Sequence, residues 1–223
     1  MTGHAALGEA ARAEGLALLG GLHPGPGDGA PEGIGTLLLV GPEGGPGFWA
    51  LFETSSERRD GASDPLDRWS ERVLGTLAVR FGATALFPFG GPPWWPFAAW
   101  ARASGEAWES PVGLLVHARL GLFASYRGAL AFPDRLPVPT PVTRPCDTCA
   151  APCRAACPVG ALGAAGYDVP ACHAFLDTGP GRACLTRGCA VRRACPVGAG
   201  LRPDAQSAFH MTAFHGRQAA CDG

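Results

Sequence analysis

The sequence predicts an α+β protein in two parts, a mixed helix-and-strand domain over residues 1–140 and a small cysteine-rich domain over residues 141–223. Three observations support this division. Short apolar runs alternate with amphipathic helical patterns in the first part. Five prolines lie between Pro133 and Pro145, which favours a stiff, extended linker. All nine cysteines follow residue 145.

Three helices are predicted in the first domain. An Ala- and Leu-rich segment, residues 5–19, ends at two consecutive glycines. Asp64 and Pro65 have the residue types of an N-cap and a first helical position, and the apolar residues that follow recur at three- and four-residue steps as far as Phe81. A third helix is expected over residues 94–103, after two prolines.

The strands of this domain are predicted from short apolar runs between Gly- and Pro-rich turns. These runs cover residues 36–40, 48–54, 83–89, 112–116 and 122–132. Strands interleaved with helices indicate a layered α+β or α/β domain.

Composition excludes several classes of protein. Hydrophobic residues make up 47% of the chain, which is typical of a globular protein. The formal net charge is -1, which argues against nucleic-acid binding through bulk charge. The chain has no phosphate-binding loop, no G-x-G-x-x-G after a strand and no G-x-S-x-G turn.

No membrane or targeting segment is expected. The most apolar stretch, residues 84–101, is interrupted by prolines and glycines, and the first residues lack a basic region followed by a long apolar one. We therefore expect a cytoplasmic protein with no membrane partner. In a reducing compartment, clustered cysteines are more often metal or redox ligands than disulfides.

The cysteines follow a pattern that favours an inorganic cluster. Cys146-x2-Cys149-x3-Cys153-x3-Cys157-Pro places four thiols within twelve residues, and small neighbours leave backbone N–H groups free to approach cluster sulfur. The pattern differs by one inserted residue from the bacterial ferredoxin run C-x2-C-x2-C-x3-C-P. The segment CPVGA at 157–161 recurs unchanged at 195–199. An internal duplication of this kind resembles the bacterial two-cluster ferredoxins.

That resemblance implies two [4Fe–4S] clusters with exchanged ligands. The first would be bound by Cys146, Cys149, Cys153 and Cys195. The second would be bound by Cys157, Cys172, Cys184 and Cys189, although the second half of the repeat departs from the regular spacing. Cys221 is left over. Zinc is the alternative occupant, but four-cysteine zinc sites usually show two C-x2-C pairs separated by a longer loop.

The first domain carries a second resemblance. The helix start Asp64-Pro65-Leu66-Asp67 and the segment PVGLLVHARLGLFASYRGALAF at 111–132 resemble the CblC-type cobalamin-processing domain, which belongs with nitroreductase-like folds. They also resemble the cobalamin domain of epoxyqueuosine reductase. That reductase and the reductive dehalogenases join such a domain to a C-terminal two-cluster ferredoxin module, in the order seen here.

This resemblance implies cobalamin or another corrinoid as a cofactor. His117, Arg119 and Arg127 lie on the matched segment and would line the corrinoid site or contact its periphery. The alternative is that they are outward-facing strand residues, and both interpretations stay open. A cluster of aromatic residues also has two interpretations. It could form a lid over a corrin, or it could fill the core of the domain, and core packing is favoured. It comprises Trp94, Trp95, Phe97, Trp100 and Trp108.

The sequence thus predicts an iron–sulfur electron-transfer protein, an oxidoreductase in which two clusters pass single electrons to a corrinoid or a substrate at the first domain. Alternatives are an electron carrier whose first domain only docks a partner and a zinc-stabilised interaction module. A redox partner protein is expected in either iron–sulfur case.

Arg154, Arg192 and Arg193 flank the cluster loops, where they would steer an acidic donor or lie solvated at the surface. His173 is expected to bond near a cluster, whereas His210 and His215 do not share a helix face.

Overall fold

The computed structural model describes residues 3–163 and 166–219, and it has the mixed α+β composition that the sequence predicts. The chain divides into two compact units. The first unit contains Met1–Trp108 and Ala124–Thr143, and the second contains Glu109–Phe123 and Arg144–Gly223. The chain passes to the second unit within the proline-rich linker, but the segment 109–123, expected in the first domain, belongs to the cysteine-rich unit.

The first unit is built on one antiparallel sheet whose strand order is β1-β2-β6-β3. Its helices are α1 (Gly3–Ala13), α2 (Gly47–Thr54), α3 (Ser56–Arg59), α4 (Pro65–Phe81) and α5 (Phe97–Ala103). Its strands are β1 (Leu16–Leu22), β2 (Thr36–Pro42), β3 (Thr84–Leu86) and β6 (Gly128–Phe132), and β4 (Ala107–Glu109) leads out of it. Every residue of β2 and β6 is buried, so these two central strands form the core of the unit.

Two predicted elements of this unit were wrong. The helix expected over residues 5–19 ends at Ala13, and residues 16–22 form β1. Gly15 separates the two elements with a φ of +68°, and a Cβ there would lie 2.5 Å from the Phe48 Cα. An apolar run of this kind suits a buried strand as well as a helix. The turn at Gly15 and the pairing of residues 16–22 with β2 make this segment a strand.

Residues 48–54, expected as a strand, form helix α2 instead. Aromatic residues favour strands on average, but tertiary packing overrides that preference. Phe48 and Phe52 lie one helical turn apart and both pack edge-on against Trp69 of α4, at ring-centroid distances of 5.3 and 6.4 Å. The helical spacing therefore brings the two rings onto one partner.

Helix α4 matches the prediction closely. It spans Pro65–Phe81, and Gly82, whose φ is +69°, caps its C-terminal end. Asp64 adopts a left-handed conformation, and its side chain makes no capping hydrogen bond. Its carbonyl oxygen accepts instead from the N–H groups of Asp67 and Arg68.

An ion pair joins α3 to α4. Glu57 is buried, and it accepts from the Arg72 guanidinium at 2.5 Å (Nε to Oε1) and 3.2 Å (Nη2 to Oε2). These hydrogen bonds lower the pKa of Glu57 to about 2 from its ordinary 4.5. Because the folded pKa is depressed, the pair stabilises the fold fully above about pH 4.5, and the contribution disappears as the pH falls towards 2.

We therefore expect Glu57→Gln to reduce the free energy of unfolding at pH 7 and to have a much smaller effect near pH 2. The carboxylate is charged and paired at pH 7, whereas near pH 2 it is protonated in the unfolded state and about half protonated in the folded state, so little of the contribution remains. Urea unfolding of the two proteins at both pH values measures the difference. Glu53→Gln removes a carboxylate that pairs at the surface with Arg58 and serves as the control, with an expected effect below about 1 kcal/mol. A constant penalty for Glu57→Gln at both pH values would contradict the prediction.

The second unit consists of short elements joined by turns. Its elements are β5 (Leu115–His117), a 3₁₀ helix (Pro152–Ala155), β7 (Leu162–Gly163), β8 (Gly166–Tyr167), α6 (Val169–Leu176), α7 (Arg182–Arg187), α8 (Ala190–Arg193) and α9 (Asp204–Ala219). Helix α7 packs against α9, and α8 packs against the 3₁₀ helix. Across the described ranges of both units, no helix has the length and apolarity that a membrane span requires.

Candidate metal centre

Four cysteines of the second unit surround one pocket. Cys146, Cys149, Cys153 and Cys195 line it. Three stretches of chain contribute them: the turn over residues 146–149, the 3₁₀ helix, and the residue that follows α8 by two positions. The pocket has a volume of about 290 Å³, including the part that opens to solvent. We call these four thiols the first quartet, and they are the set that the ferredoxin resemblance assigns to one cluster.

The other walls of this pocket are apolar or contributed by small residues. They comprise Ser110, Pro111, Val116, Leu122, Ala151, Pro152 and Pro196. Cys146 is partly buried and Cys153 is buried, and this burial raises the pKa of both. The other members of the quartet raise the pKa of both further, because neighbouring thiolates repel one another. A cation or a metal cluster would remove that penalty by supplying positive charge.

The inserted residue of the first cysteine run is accommodated by an unusual backbone conformation. Ala151 has a φ of +53°, in the left-handed region that alanine seldom adopts. In this conformation its backbone N–H donates to the Cys149 Sγ at 3.4 Å. The longer C-x3-C spacing therefore still directs a backbone donor towards the Cys149 sulfur.

Among the remaining described cysteines, Cys172 has a pKa that responds to the other three. Burial raises the pKa of Cys172, and the charges of Cys189, Cys157 and Cys184 add to that increase. These three are the partners that the resemblance assigns to it. None of the eight described cysteines forms a disulfide. We call Cys157, Cys172, Cys184 and Cys189 the second quartet; Cys221, predicted to be a bystander, lies outside the described residues.

Polar and aromatic side chains surround Cys172 on α6. The Tyr167 hydroxyl donates to the Cys172 Sγ at 3.3 Å, and the Tyr167 ring stacks on Phe214 of α9 at 6.0 Å. The next residue, His173, has its Nδ1 3.2 Å from the Nδ1 of His215. The other ring nitrogen of His215, Nε2, lies 2.8 Å from an Asp177 oxygen. His215 is therefore a partner of His173, a contact that spacing within one helix did not predict.

Arginines of the second unit hold the segment 109–123 in place. Arg144 donates to the carbonyl oxygen of Glu109, Arg192 to that of Leu122, and Arg202 to that of Phe123. Arg192 was expected to steer a donor or to lie solvated at the surface, and it is instead partly buried with its guanidinium on the Leu122 carbonyl oxygen. Arg193 donates to the Gly188 carbonyl oxygen at 3.0 Å, whereas Arg154 is exposed.

The same segment crosses the second CPVGA repeat at backbone contact distance. A Cβ on Gly121 would lie 2.1 Å from the Val197 carbonyl oxygen and 3.0 Å from the Cys195 Sγ. A Cβ on Gly198 would lie 2.7 Å from the Leu120 carbonyl group. Gly160, the equivalent of Gly198 in the first repeat, has the same left-handed conformation but open space around it. The crossing is therefore a feature of the second repeat only.

The thiols do not converge on a point. Within 3–163 and 166–219, no three His, Cys, Asp or Glu side chains lie close enough together to hold a single metal ion. A zinc ion with Zn–S bonds of about 2.3 Å would draw four thiolates to within about 4 Å of one another. The four thiols of the first quartet line one pocket, and four thiolates are the ligand set that a [4Fe–4S] cluster takes. The residues present thus fit a [4Fe–4S] cluster.

Two of the residues expected near a corrinoid lie in the turn that precedes this crossing. His117 is fully buried, and its Nδ1 accepts from the Arg119 N–H at 3.1 Å. Since Nδ1 is an acceptor, the ring proton of neutral His117 lies on Nε2. Backbone hydrogen bonds between His117 and Gly121 close the turn. Of the two interpretations left open, the outward-facing one was wrong for His117, because its buried side chain folds into the turn; Arg119 is exposed.

Arg127, the third of these residues, lies in the first unit and has internal partners. Its guanidinium donates to the Ser70 Oγ at 2.9 Å and to an Asp67 carboxylate oxygen, and it lies 5.1 Å from the centre of the Phe89 ring. A Cβ on the following Gly128 would lie 2.5 Å from the Leu74 Cδ1. Asp67 and Arg127 both belong to motifs that carry the resemblance to the cobalamin domain. In this structure the contacts of Arg127 and Gly128 hold α4 against β6.

The aromatic group of the first unit mostly packs internally. Phe97 and Trp100 are buried, Trp95 stacks on Trp100 at 6.1 Å, and the Trp100 Nε1 donates to the Asp28 carbonyl oxygen. Trp94 is 69% exposed. The packing interpretation therefore describes the buried members of the group.

Sequence reasoning missed the residues that reach the quartets from far along the chain. Leu122 and Arg192 are 70 positions apart, and no local pattern connects them. Tyr167 precedes Cys172 by five residues, but only the short β7–β8 hairpin and the start of α6 bring its hydroxyl to the sulfur.

Comparisons of the chain with protein-family models, with curated proteins and with solved structures each find no match.

Proposed function

We propose that the protein is an iron–sulfur electron-transfer protein whose second unit binds two [4Fe–4S] clusters. The observation that carries the proposal is the pocket lined by all four thiols of the first quartet. Clusters of this type accept and release single electrons at low potential.

The residues around each quartet support a role in electron transfer. Apolar walls limit the access of water to the first quartet. The Ala151 N–H and the Tyr167 hydroxyl each donate to a ligand sulfur, and such hydrogen bonds tune a cluster's potential. The proposed ligands are exchanged between the two halves of the duplicated sequence, because Cys195 belongs to the first quartet and Cys157 to the second.

The electron acceptor remains a prediction from resemblance. A corrinoid at the first domain would be reduced by single electrons from the second unit. Arg127, however, is engaged with Asp67 and Ser70, and His117 with its own turn. Our proposal therefore covers electron transfer, and mixing the reduced protein with cobalamin is the direct test for a corrinoid acceptor.

Metal analysis of anaerobically purified protein tests the proposal. We expect about eight iron atoms and matching sulfide per chain, with a broad absorption band near about 400 nm. Cys146→Ala and Cys172→Ala are each expected to lose about half of the iron, because they belong to different quartets, and the double variant is expected to lose nearly all of it.

The matched control is Cys221→Ser, which is expected to keep all the iron because the two quartets already supply eight ligands. A colourless protein that contains zinc instead of iron would overturn the proposal. Full iron content in Cys146→Ala would contradict the assignment of the first quartet.

A further inference from the structure

A short turn of the second unit brings two hydrocarbon side chains to the pocket of the first quartet. The backbone N–H groups of His117 and Gly121 each donate to the carbonyl oxygen of the other residue, at 3.0 and 2.9 Å, and form an antiparallel bridge. Val116 and Leu122 are the next pair in that register, and side chains paired in this way lie on the same side. Both line the pocket, and each is 1% exposed. The turn thus presents them to the pocket together.

The turn is fixed in position beside a thiol of the first quartet. A Cβ on Gly121 would lie 2.1 Å from the Val197 carbonyl oxygen and 3.0 Å from the Cys195 Sγ. The Leu122 carbonyl oxygen accepts a hydrogen bond from the Arg192 guanidinium. Close backbone contact holds one residue of the turn and a hydrogen bond holds the next, so the Leu122 side chain has a defined place in the wall of the pocket.

The lining of this pocket offers little that would stabilise added negative charge. Apart from the four thiols, its described lining residues include a single polar side chain, that of Ser110. Ser110 is 5% exposed, and its Oγ accepts from the Val112 N–H at 3.4 Å. Water that entered beside Val116 or Leu122 would therefore change the polarity of the pocket substantially.

From this arrangement we infer that Val116 and Leu122 keep water away from the first cluster and thereby hold its reduction potential low. The inference rests on the proposed function. Reduction adds a single electron from the redox partner to the cluster, whose net charge becomes more negative by that amount. Water stabilises such charge, whereas a hydrocarbon wall does not, so a dry pocket disfavours the reduced form.

Val112 provides a matched comparison within the same segment. It is also a valine and also 1% exposed, but it is not among the residues that line the pocket. Val112→Ala and Val116→Ala remove the same atoms from equally buried sites, so we expect a similar fall in melting temperature for both. Only Val116→Ala removes those atoms from the wall of the pocket.

Redox titration of the iron-loaded full-length protein, followed by electron paramagnetic resonance with dithionite as the electron donor, tests the inference. Val116→Ala and Leu122→Ala are expected to raise the reduced-to-oxidised ratio of the first cluster roughly threefold or more at fixed potential, and Val112→Ala is expected to leave it unchanged. The same titration in the Cys172→Ala background, which is expected to retain only the first cluster, identifies the signal that belongs to it.

Further variants and a second measurement separate hydration from a general structural effect. Leu122→Met keeps a hydrophobic side chain of similar volume and is expected to keep the wild-type ratio. Val116→Thr keeps the approximate size of valine, adds a hydroxyl group and is expected to raise the ratio. Pulsed electron paramagnetic resonance in deuterium oxide detects exchangeable deuterons near the reduced cluster, and we expect their couplings to strengthen in Val116→Ala but not in Val112→Ala.

Each outcome decides the inference. Equal shifts in Val112→Ala and Val116→Ala, or wild-type ratios in both Val116→Ala and Val116→Thr, would overturn it and leave the proposed function intact. A raised ratio in Val116→Ala without stronger deuteron couplings would overturn it too, because water would then not be the cause. If Val116→Ala loses iron, Val116→Thr, which leaves no cavity, decides by its ratio. A wild-type protein without iron would overturn the proposed function itself.

Discussion

Gly121→Ala is expected to remove about half of the bound iron, by displacing the first quartet. A Cβ at this position would lie 2.1 Å from the Val197 carbonyl oxygen and 3.0 Å from the Cys195 Sγ. Its φ of +56° adds a left-handed backbone penalty for alanine. Backbone on the opposite side cannot rotate away as a side chain would, so the two chain segments must separate. We expect a destabilisation of roughly 3 kcal/mol in all.

Gly113→Ala is the matched control for this variant. Gly113 belongs to the same segment and has a φ of +74°, but its Cβ would meet nothing within 4 Å. It therefore carries the backbone penalty, of roughly 1–2 kcal/mol, without the collision. We expect the control to lower the melting temperature modestly and to keep about eight iron atoms.

Combining variants identifies which quartet Gly121→Ala disrupts. Adding Cys146→Ala is expected to cause no further iron loss, because both changes act on the same cluster. Adding Cys172→Ala is expected to remove most of the remaining iron, because that change acts on the other one. Additive iron loss with Cys146→Ala would show that Gly121 does not act through the first quartet.

Gly181→Ala is expected to have the converse effect, the loss of the second cluster. Gly181 has an ordinary φ of -66°, so alanine suffers no backbone penalty there. Its Cβ would nevertheless lie 1.9 Å from the Phe175 carbonyl oxygen and 2.9 Å from the Leu176 Cα. Phe175 and Leu176 belong to α6, which carries Cys172, and Gly181 immediately precedes α7, which carries Cys184. The collision therefore pushes apart the two helices that supply thiols to the second quartet.

Gly179→Ala provides a close control, two residues away. A Cβ at Gly179 would meet nothing within 4 Å, and alanine is expected to change the free energy of unfolding by less than about 0.5 kcal/mol. For Gly181→Ala we expect a destabilisation of about 2–3 kcal/mol and the loss of about half of the iron. Iron analysis and thermal unfolding of the two variants measure the contrast. Equal iron contents in Gly179→Ala and Gly181→Ala would contradict the steric explanation.

The two glycine variants also test the division of the eight cysteines into quartets. In the Gly181→Ala background, Cys172→Ala is expected to cause no further iron loss, whereas Cys146→Ala is expected to remove most of the rest. This pattern is the reverse of that expected for Gly121→Ala. Identical patterns for both glycines would mean that the quartets do not bind separate clusters.

Local sequence was sufficient where neighbouring residues decide the structure. Pro65 and Gly82 bound helix α4, and apolar residues at helical spacing between them face the core. The spacing of the cysteines and the CPVGA repeat likewise predicted a duplicated metal-binding tail without any three-dimensional information. The caps, the helical periodicity and the first cysteine run each lie within a few residues, and the repeat is visible when two short segments are compared directly.

Local sequence failed where distant contacts decide the structure. Residues 16–19 are apolar in a manner that suits helix and strand alike, and pairing with β2 makes them a strand. Phe48 and Phe52 have strand-forming side chains, and a shared contact with Trp69 makes their segment a helix. In both cases the free energy of packing exceeds the small intrinsic preference of the backbone.

The sequence by itself determined which residue types the proposed cluster site offers, namely eight thiols in a duplicated pattern with a repeated Cys-Pro motif. Only the tertiary structure decided what surrounds those thiols. It brings the segment 109–123 to the first quartet. It also brings the guanidinium groups of Arg192 and Arg202 to the carbonyl oxygens of Leu122 and Phe123 in that segment. The physical reason is that burial and electrostatic environment depend on contacts between residues 70 or more positions apart, and no local pattern encodes such contacts.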